Sequence, residues 1–123
     1  MQTKLKADST VTGLVGTYLS QPAIYSVPLM PQKYDGNGKG GISMYLSGIK
    51  DGGEELDGTR NTCSCWAISY DKAEELQEAV FSALNRHSEG NDTFFKCSKL
   101  QIIEPTALGG DYLAPVEVLV RKR

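Results

Sequence analysis

The firmest hydrophobic pattern in the chain is helical. Ala73, Leu76, Ala79, Val80, Ala83 and Leu84 recur at three- and four-residue intervals, which lines them up on one helix face as a stripe wide enough to cover a core. Asp71 followed three residues later by Glu74 is a capping-box-like start, in which each side chain satisfies a backbone N–H that the first turn leaves open. The spacing predicts a helix from Asp71 to about Arg86, with Lys72, Glu75, Gln77, Glu78 and Arg86 in water. Near the start, Asp8 is placed to cap a shorter helix with Val11, Leu14 and Val15 on one side, closed by Gly16.

Elsewhere the period is two. Ile42, Met44 and Leu46 alternate with Ser43, Tyr45 and Ser47, the mark of a strand with one buried face. Across residues 62–70 Trp66, Ile68 and Tyr70 face one way and Cys63, Cys65 and Ala67 the other. Residues 93–103 and 116–120 read as two more strands around a 105–115 connection, the latter alternating through Val116, Val118 and Val120 as an exposed sheet edge. A brief strand also fits residues 23–27.

The intervals between these runs are polar and rich in turn formers. Residues 48–61 hold Asp51-Gly52-Gly53, Glu54, Glu55 and Asp57-Gly58, which predicts a long exposed hairpin loop. Residues 88–92 are a turn, while Pro22, Pro28, Pro31 and the glycine-rich residues 35–41 make an irregular connection. The order helix, irregular segment, strand, strand, helix, strand, strand points to an α+β fold: an antiparallel sheet of about four strands with helices packed on one face.

A length of 123 residues suits one domain spanning residues 1–123. The net charge of −2 gives no general attraction to phosphate polymers or anionic lipid, and Arg121-Lys122-Arg123 is the only dense basic run. No sequence-specific nucleic-acid partner is expected. Residues 1–7 carry lysines without the apolar core of a signal peptide, and no window approaches a membrane span, so a cytosolic chain without a membrane partner is expected. Cys63, Cys65 and Cys97 are odd in number and lack the spacing of a disulfide framework; they read as reduced thiols.

Candidate chemistry is sparse. His87 is the sole histidine and falls at the end of the main helix, so a thiol enzyme using Cys63 or Cys65 with His87 would lack an orienting group. On a strand the two nearby thiols point the same way about 7 Å apart, with only Cys97 and His87 to complete a metal set; core packing explains them more simply. The glycine run before residue 42 leads into a strand and not into the helix of a phosphate loop. The acidic residues Asp51, Glu54, Glu55 and Asp57 lack the spacing of a calcium loop. Trp66 reads as core packing or part of a subunit contact. No catalytic residue, metal ligand or cofactor is expected.

Three stretches carry a resemblance. Leu5-Lys6-Ala7-Asp8-Ser9-Thr10-Val11 to Leu14-Val15-Gly16, then Leu56-Asp57-Gly58, and Ala67-Ile68-Ser69-Tyr70-Asp71-Lys72-Ala73-Glu74-Glu75-Leu76 to Val80 and Leu84 look like the tail completion or tail terminator proteins of long-tailed bacteriophages. The resemblance implies a structural virion protein at the head-proximal end of the tail, present in the host cytoplasm during assembly. Its subunits would form a ring, commonly a hexamer, that closes the tail tube and offers a face to the head. The implied partners are further copies of the chain, the tail tube protein and a head-completion or connector protein. A head-completion or connector protein of the same particle is the alternative. In this reading the rim that meets a partner is Asp51, Glu54, Glu55 and Arg60, with Trp66 and Tyr70 supporting the fold behind them.

Overall fold

The structure, a computed structural model, describes residues 1–27, 30, 38–50, 58–89, 93–105 and 111–122. Two short helices open the chain, α1 (Gln2–Ala7) and α2 (Ser9–Leu14), divided at Asp8. Asp8 is extended, and its carboxylate accepts hydrogen bonds from the backbone N–H groups of Thr10 at 3.0 Å and Val11 at 3.1 Å. The cap expected at Asp8 is therefore present. Helix α1 ahead of it was not expected, because six residues with the single buried Leu5 present no period.

A small hairpin follows, β1 (Thr17–Tyr18) with β2 (Gln21–Pro22). Its turn residues Leu19 and Ser20 both have positive φ, 52° and 66°, the geometry that matches the twist of a two-residue hairpin. Then come β3 (Ile24–Tyr25), β4 (Gly41–Lys50), β5 (Gly58–Ala67), α3 (Tyr70–Leu84), β6 (Ser88–Glu89), β7 (Thr93–Lys99) and β8 (Tyr112–Lys122). The main sheet has the order β3-β4-β5-β8-β7-β6. Its four long strands pair antiparallel, and the helices gather on one face with α3 against β5, β8 and β7. This is the expected α+β architecture, extended by β6 at one edge and by the two-residue β3, parallel to β4, at the other.

Three strand readings are corrected. Residues 48–50 and 58–61 belong to β4 and β5, so the strands run further than the turn formers suggested and the loop between them is shorter. A bulge between Leu46 and Gly48 takes up Ser47 as an extra residue on β4, and Gly48 pairs with Arg60. The strand at residues 62–70 stops at Ala67, leaving Ile68 in a bend and Tyr70 as the first residue of α3. Strand β8 is no edge: it lies between β5 and β7, and it starts at Tyr112 with Pro115 inside it.

Helix α3 is capped by Ser69, whose hydroxyl accepts from the Lys72 N–H at 3.3 Å. Asp71, the expected cap, sits in the first turn, where its charge favours the helix dipole. The helix ends at Leu84, earlier than expected. Asn85 turns extended, its side-chain oxygen accepts from the Cys97 N–H at 3.1 Å, and Arg86 adopts φ 65° while donating its N–H to the Phe95 carbonyl.

Gln77, expected in water, is 5% exposed. Pro115 explains why. The Leu100 N–H donates to the Pro115 carbonyl at 3.1 Å, and in an antiparallel pair of this kind residue 115 would return its own N–H to the Leu100 carbonyl. Proline has none. The Gln77 amide nitrogen takes its place, donating to the Leu100 carbonyl at 2.9 Å and to the Pro115 carbonyl at 2.8 Å.

Gly40 marks a second close approach. Its backbone pairs with Leu14 and Gly16, and a Cβ there would lie 2.4 Å from the Trp66 carbonyl oxygen and 3.0 Å from Leu76. Only glycine lets α2, β4 and α3 meet at this point.

Candidate functional site

The sheet has two unlike faces. Toward the helices point Ile42 and Met44 of β4, Cys63, Cys65 and Ala67 of β5, Ala114, Val116 and Val118 of β8, and Phe95 and Cys97 of β7, all buried in one core with Leu5, Val11, Leu76, Val80 and Leu84. The other face carries Tyr45, Arg60, Thr62, Ser64, Trp66, Leu113, Pro115, Glu117, Leu119, Arg121, Phe94 and Lys96. Among the described residues no helix packs on it.

Water is nevertheless excluded from its centre. Ser43 is 0% and Ser64 3% exposed, and the Trp66 indole N–H donates to the Ser43 hydroxyl at 2.8 Å. Large side chains on neighbouring strands thus lie across small ones, with the buried hydroxyl and indole satisfying each other. At its margins the face is wetter: Tyr45 is 38% and Ile103, bridged to Leu113, 55% exposed. Toward the other end Arg60 and Glu117 form a 3.6 Å ion pair across β5 and β8, with Lys96 and Arg121 on the adjoining strand positions. Tyr25, beside Ser43, keeps a buried hydroxyl oxygen without a hydrogen-bond partner among the described residues; burial, and secondarily Tyr18, pushes its pKa up.

On the opposite side of the molecule, acidic residues cluster around one groove. An open groove of about 920 Å³ between α2 and α3 is lined by Asp8, Asp71, Glu74, Glu75 and Glu78, with Lys99 as the one basic residue among the described residues that line it. Lys99 is held there by Glu78 at 2.5 Å and lies 5.2 Å from the Phe81 ring centre.

Of the expected rim residues, Asp51, Glu54 and Glu55 lie outside the described residues. Arg60 is in β5, opposite Gly48 and Leu119; the ladder, not a loop, sets its position. Trp66 and Tyr70 do not stand together behind a loop: Tyr70 starts α3, half exposed and edge-on to Tyr112 at 6.2 Å. The acidic groove escaped the sequence reading because Asp8 and α3 are joined only by folding. Lys96 and Arg121 escaped it because their shared face depends on the pairing of β7 with β8.

The thiols and His87 form no catalytic arrangement among the described residues. Cys63 and Cys65 share one strand, and Cys97 sits two strands away beyond β8. At about 4.8 Å per strand and about 7 Å for alternate residues, these separations exceed disulfide reach. Burial pushes the Cys63 thiol up to about 12, with Cys97 adding to the shift. It pushes Cys97 up to about 11, and it raises Cys65 well above the ordinary value, again with a neighbouring thiol contributing. Protonated, buried sulfurs are poor nucleophiles. The His87 ring lies 5.6 Å from Phe95 in a tilted contact, and its backbone joins Leu84 and Phe95. No group of three or more His, Cys, Asp or Glu able to hold a metal ion occurs among the described residues, and no described helix is long and apolar enough to cross a membrane.

No family model, curated protein or solved structure matches the chain.

Proposed function

We propose that this protein is a structural assembly subunit that forms a ring, of six copies on the family pattern, closing the end of a phage tail tube and offering a face to the head. The observation that carries the reading is the open sheet face, where Trp66, Tyr45, Leu113 and Ile103 form a partly exposed aromatic and aliphatic patch with no helix over it among the described residues. Aromatic side chains that are half covered in the monomer suit a protein interface, since the remaining area is buried at low entropic cost. The stretches that resemble tail terminators add to it. They supply the end of α1, then α2, and the step from β5 into α3, elements of the helix layer that packs on the sheet.

In this role the chain acts by shape and charge, not by catalysis, and the buried thiols serve the core. Its partners are further copies of itself, the tail tube protein, and a head-completion or connector protein. Purified protein should run as a discrete oligomer by native mass measurement, appear as rings in negative stain, and cap isolated tail tubes. A chain that stays monomeric alone and on tubes would remove the ring. Attachment to emptied heads without tubes would favour the head-completion alternative.

A further inference from the structure

We infer that the ring contact, in the reading above on which this rests, seats the acidic α2–α3 groove of one copy on the basic end of the open sheet face of the next. The occupant follows from charge. Among the described residues the groove presents five carboxylates, Asp8, Asp71, Glu74, Glu75 and Glu78, against Lys99, whereas the far face of the same molecule presents Lys96 and Arg121 beside the ion-paired Arg60 and Glu117. A chain with net charge of only −2 thus gathers five carboxylates at one helix-side groove and sets Lys96 and Arg121 on the other face of the sheet. Two copies placed groove to groove or sheet to sheet would set like charges together, which costs several kcal/mol at an interface. Groove to sheet matches them.

Such a contact is heterologous, one patch meeting a different patch. Each copy then uses both faces once, and the chain of contacts closes if each step rotates. Sheet twist supplies an inclination, because successive strands turn by about 20–25° and the basic end lies on β8 and β7, away from the β3 edge. The apolar neighbours, Phe94 and Leu119 on the sheet side and Leu14 and Ala79 in the groove, provide the dry centre that charge alone lacks.

The test uses two exposed charge-reversed variants, a sheet variant Lys96→Glu with Arg121→Glu and a groove variant Glu74→Lys with Glu75→Lys. Each should fold, by circular dichroism and melting, yet associate at least about tenfold more weakly than the natural chain. Mixing them should restore assembly, since the reversed sheet of one matches the reversed groove of the other and alternate copies satisfy every contact. Raising salt should weaken the natural assembly. Restoration in the mixture supports the proposal. Rings that form normally from either variant overturn this contact and leave the ring reading standing. Filaments in place of rings support the contact but count against tail closure. A natural chain that never associates overturns both.

Discussion

On β5, Cys63 and Cys65 point at the helices while Ser64 and Trp66 point the other way, and the first three of these are almost fully buried. The helix side is dry because Leu76, Val80 and Leu84 of α3 cover it. The open side is dry at its centre because Trp66 covers Ser43 within the sheet itself. Burial on the first face reflects a second layer, which stabilises the fold; burial on the second is local, and leaves a surface free to receive a partner. The same strand can therefore serve core and interface at once, since its side chains alternate between faces.

Truncating the helix side should have the largest effect. Leu76→Ala, at a fully buried position, is expected to cost about 3 kcal/mol by lost transfer energy and a cavity. Leu113→Ala, only half buried on the open face, should cost well under half as much while weakening assembly. Denaturant unfolding of both, together with a mass measurement, checks the contrast. Equal destabilisation would mean that the two faces are equivalent parts of one core.

Next in size is the link between Gln77 and Pro115. Gln77→Leu leaves the Leu100 carbonyl without its donor, a loss of about 1–3 kcal/mol for a buried polar group. In a Pro115→Ala background the new backbone N–H can take over, so Gln77→Leu should there cost less. A double-mutant cycle measures the difference. Additive costs would show that the glutamine does not stand in for the missing N–H.

This pair also marks where the sequence stops being legible. The apolar stripe of α3, the alternation of β4 and the inward Cys63, Cys65 and Ala67 could be read because each depends on a period within one element. Gln77 could not, since its burial depends on a proline 38 residues away. The extension of β4 to Lys50 and β5 back to Gly58 was hidden by glycines and polar residues that signal turns locally, while the ladder with β8 holds them extended. The same ladder places Arg60 on the sheet face, and makes β8 central where its valines alone suggested an edge. The half-buried place of Trp66 could be read in part from its strand; the charged groups on either side of the sheet come together only after folding.

The thiols sharpen the comparison through pH. Because the folded pKa values of Cys63 and Cys97 are raised from 9.0 to about 12 and about 11, the folded state holds these protons longer than the unfolded chain. Below pH 9 both states are protonated and the groups contribute no slope. As pH rises from about 9 toward 11, the unfolded chain ionises first, so stability should fall, each unshielded group at up to about 1.4 kcal/mol per pH unit. The informative quantity is the difference in slope between the natural chain and Cys63→Ala. At neutral pH a thiol reagent should modify the chain only after denaturation. Rapid modification of the folded protein would place the thiols outside the core.

The smallest expected effect is on the open face. Trp66→Phe keeps an aromatic cover over Ser43 but removes the indole N–H, so the Ser43 hydroxyl loses its donor partner at 2.8 Å. A single neutral hydrogen bond contributes about 1 kcal/mol, and the substitution should cost about that much with the helix-side core unchanged. Replacing both partners, Trp66→Phe with Ser43→Ala, should cost less than the sum of the two single changes. Because the indole also forms part of the exposed patch, the double variant should retain most of its stability while assembling more weakly. If it assembles like the natural chain, Trp66 serves only to keep the sheet dry, and the contact with a neighbour lies elsewhere on this face, as at its basic end.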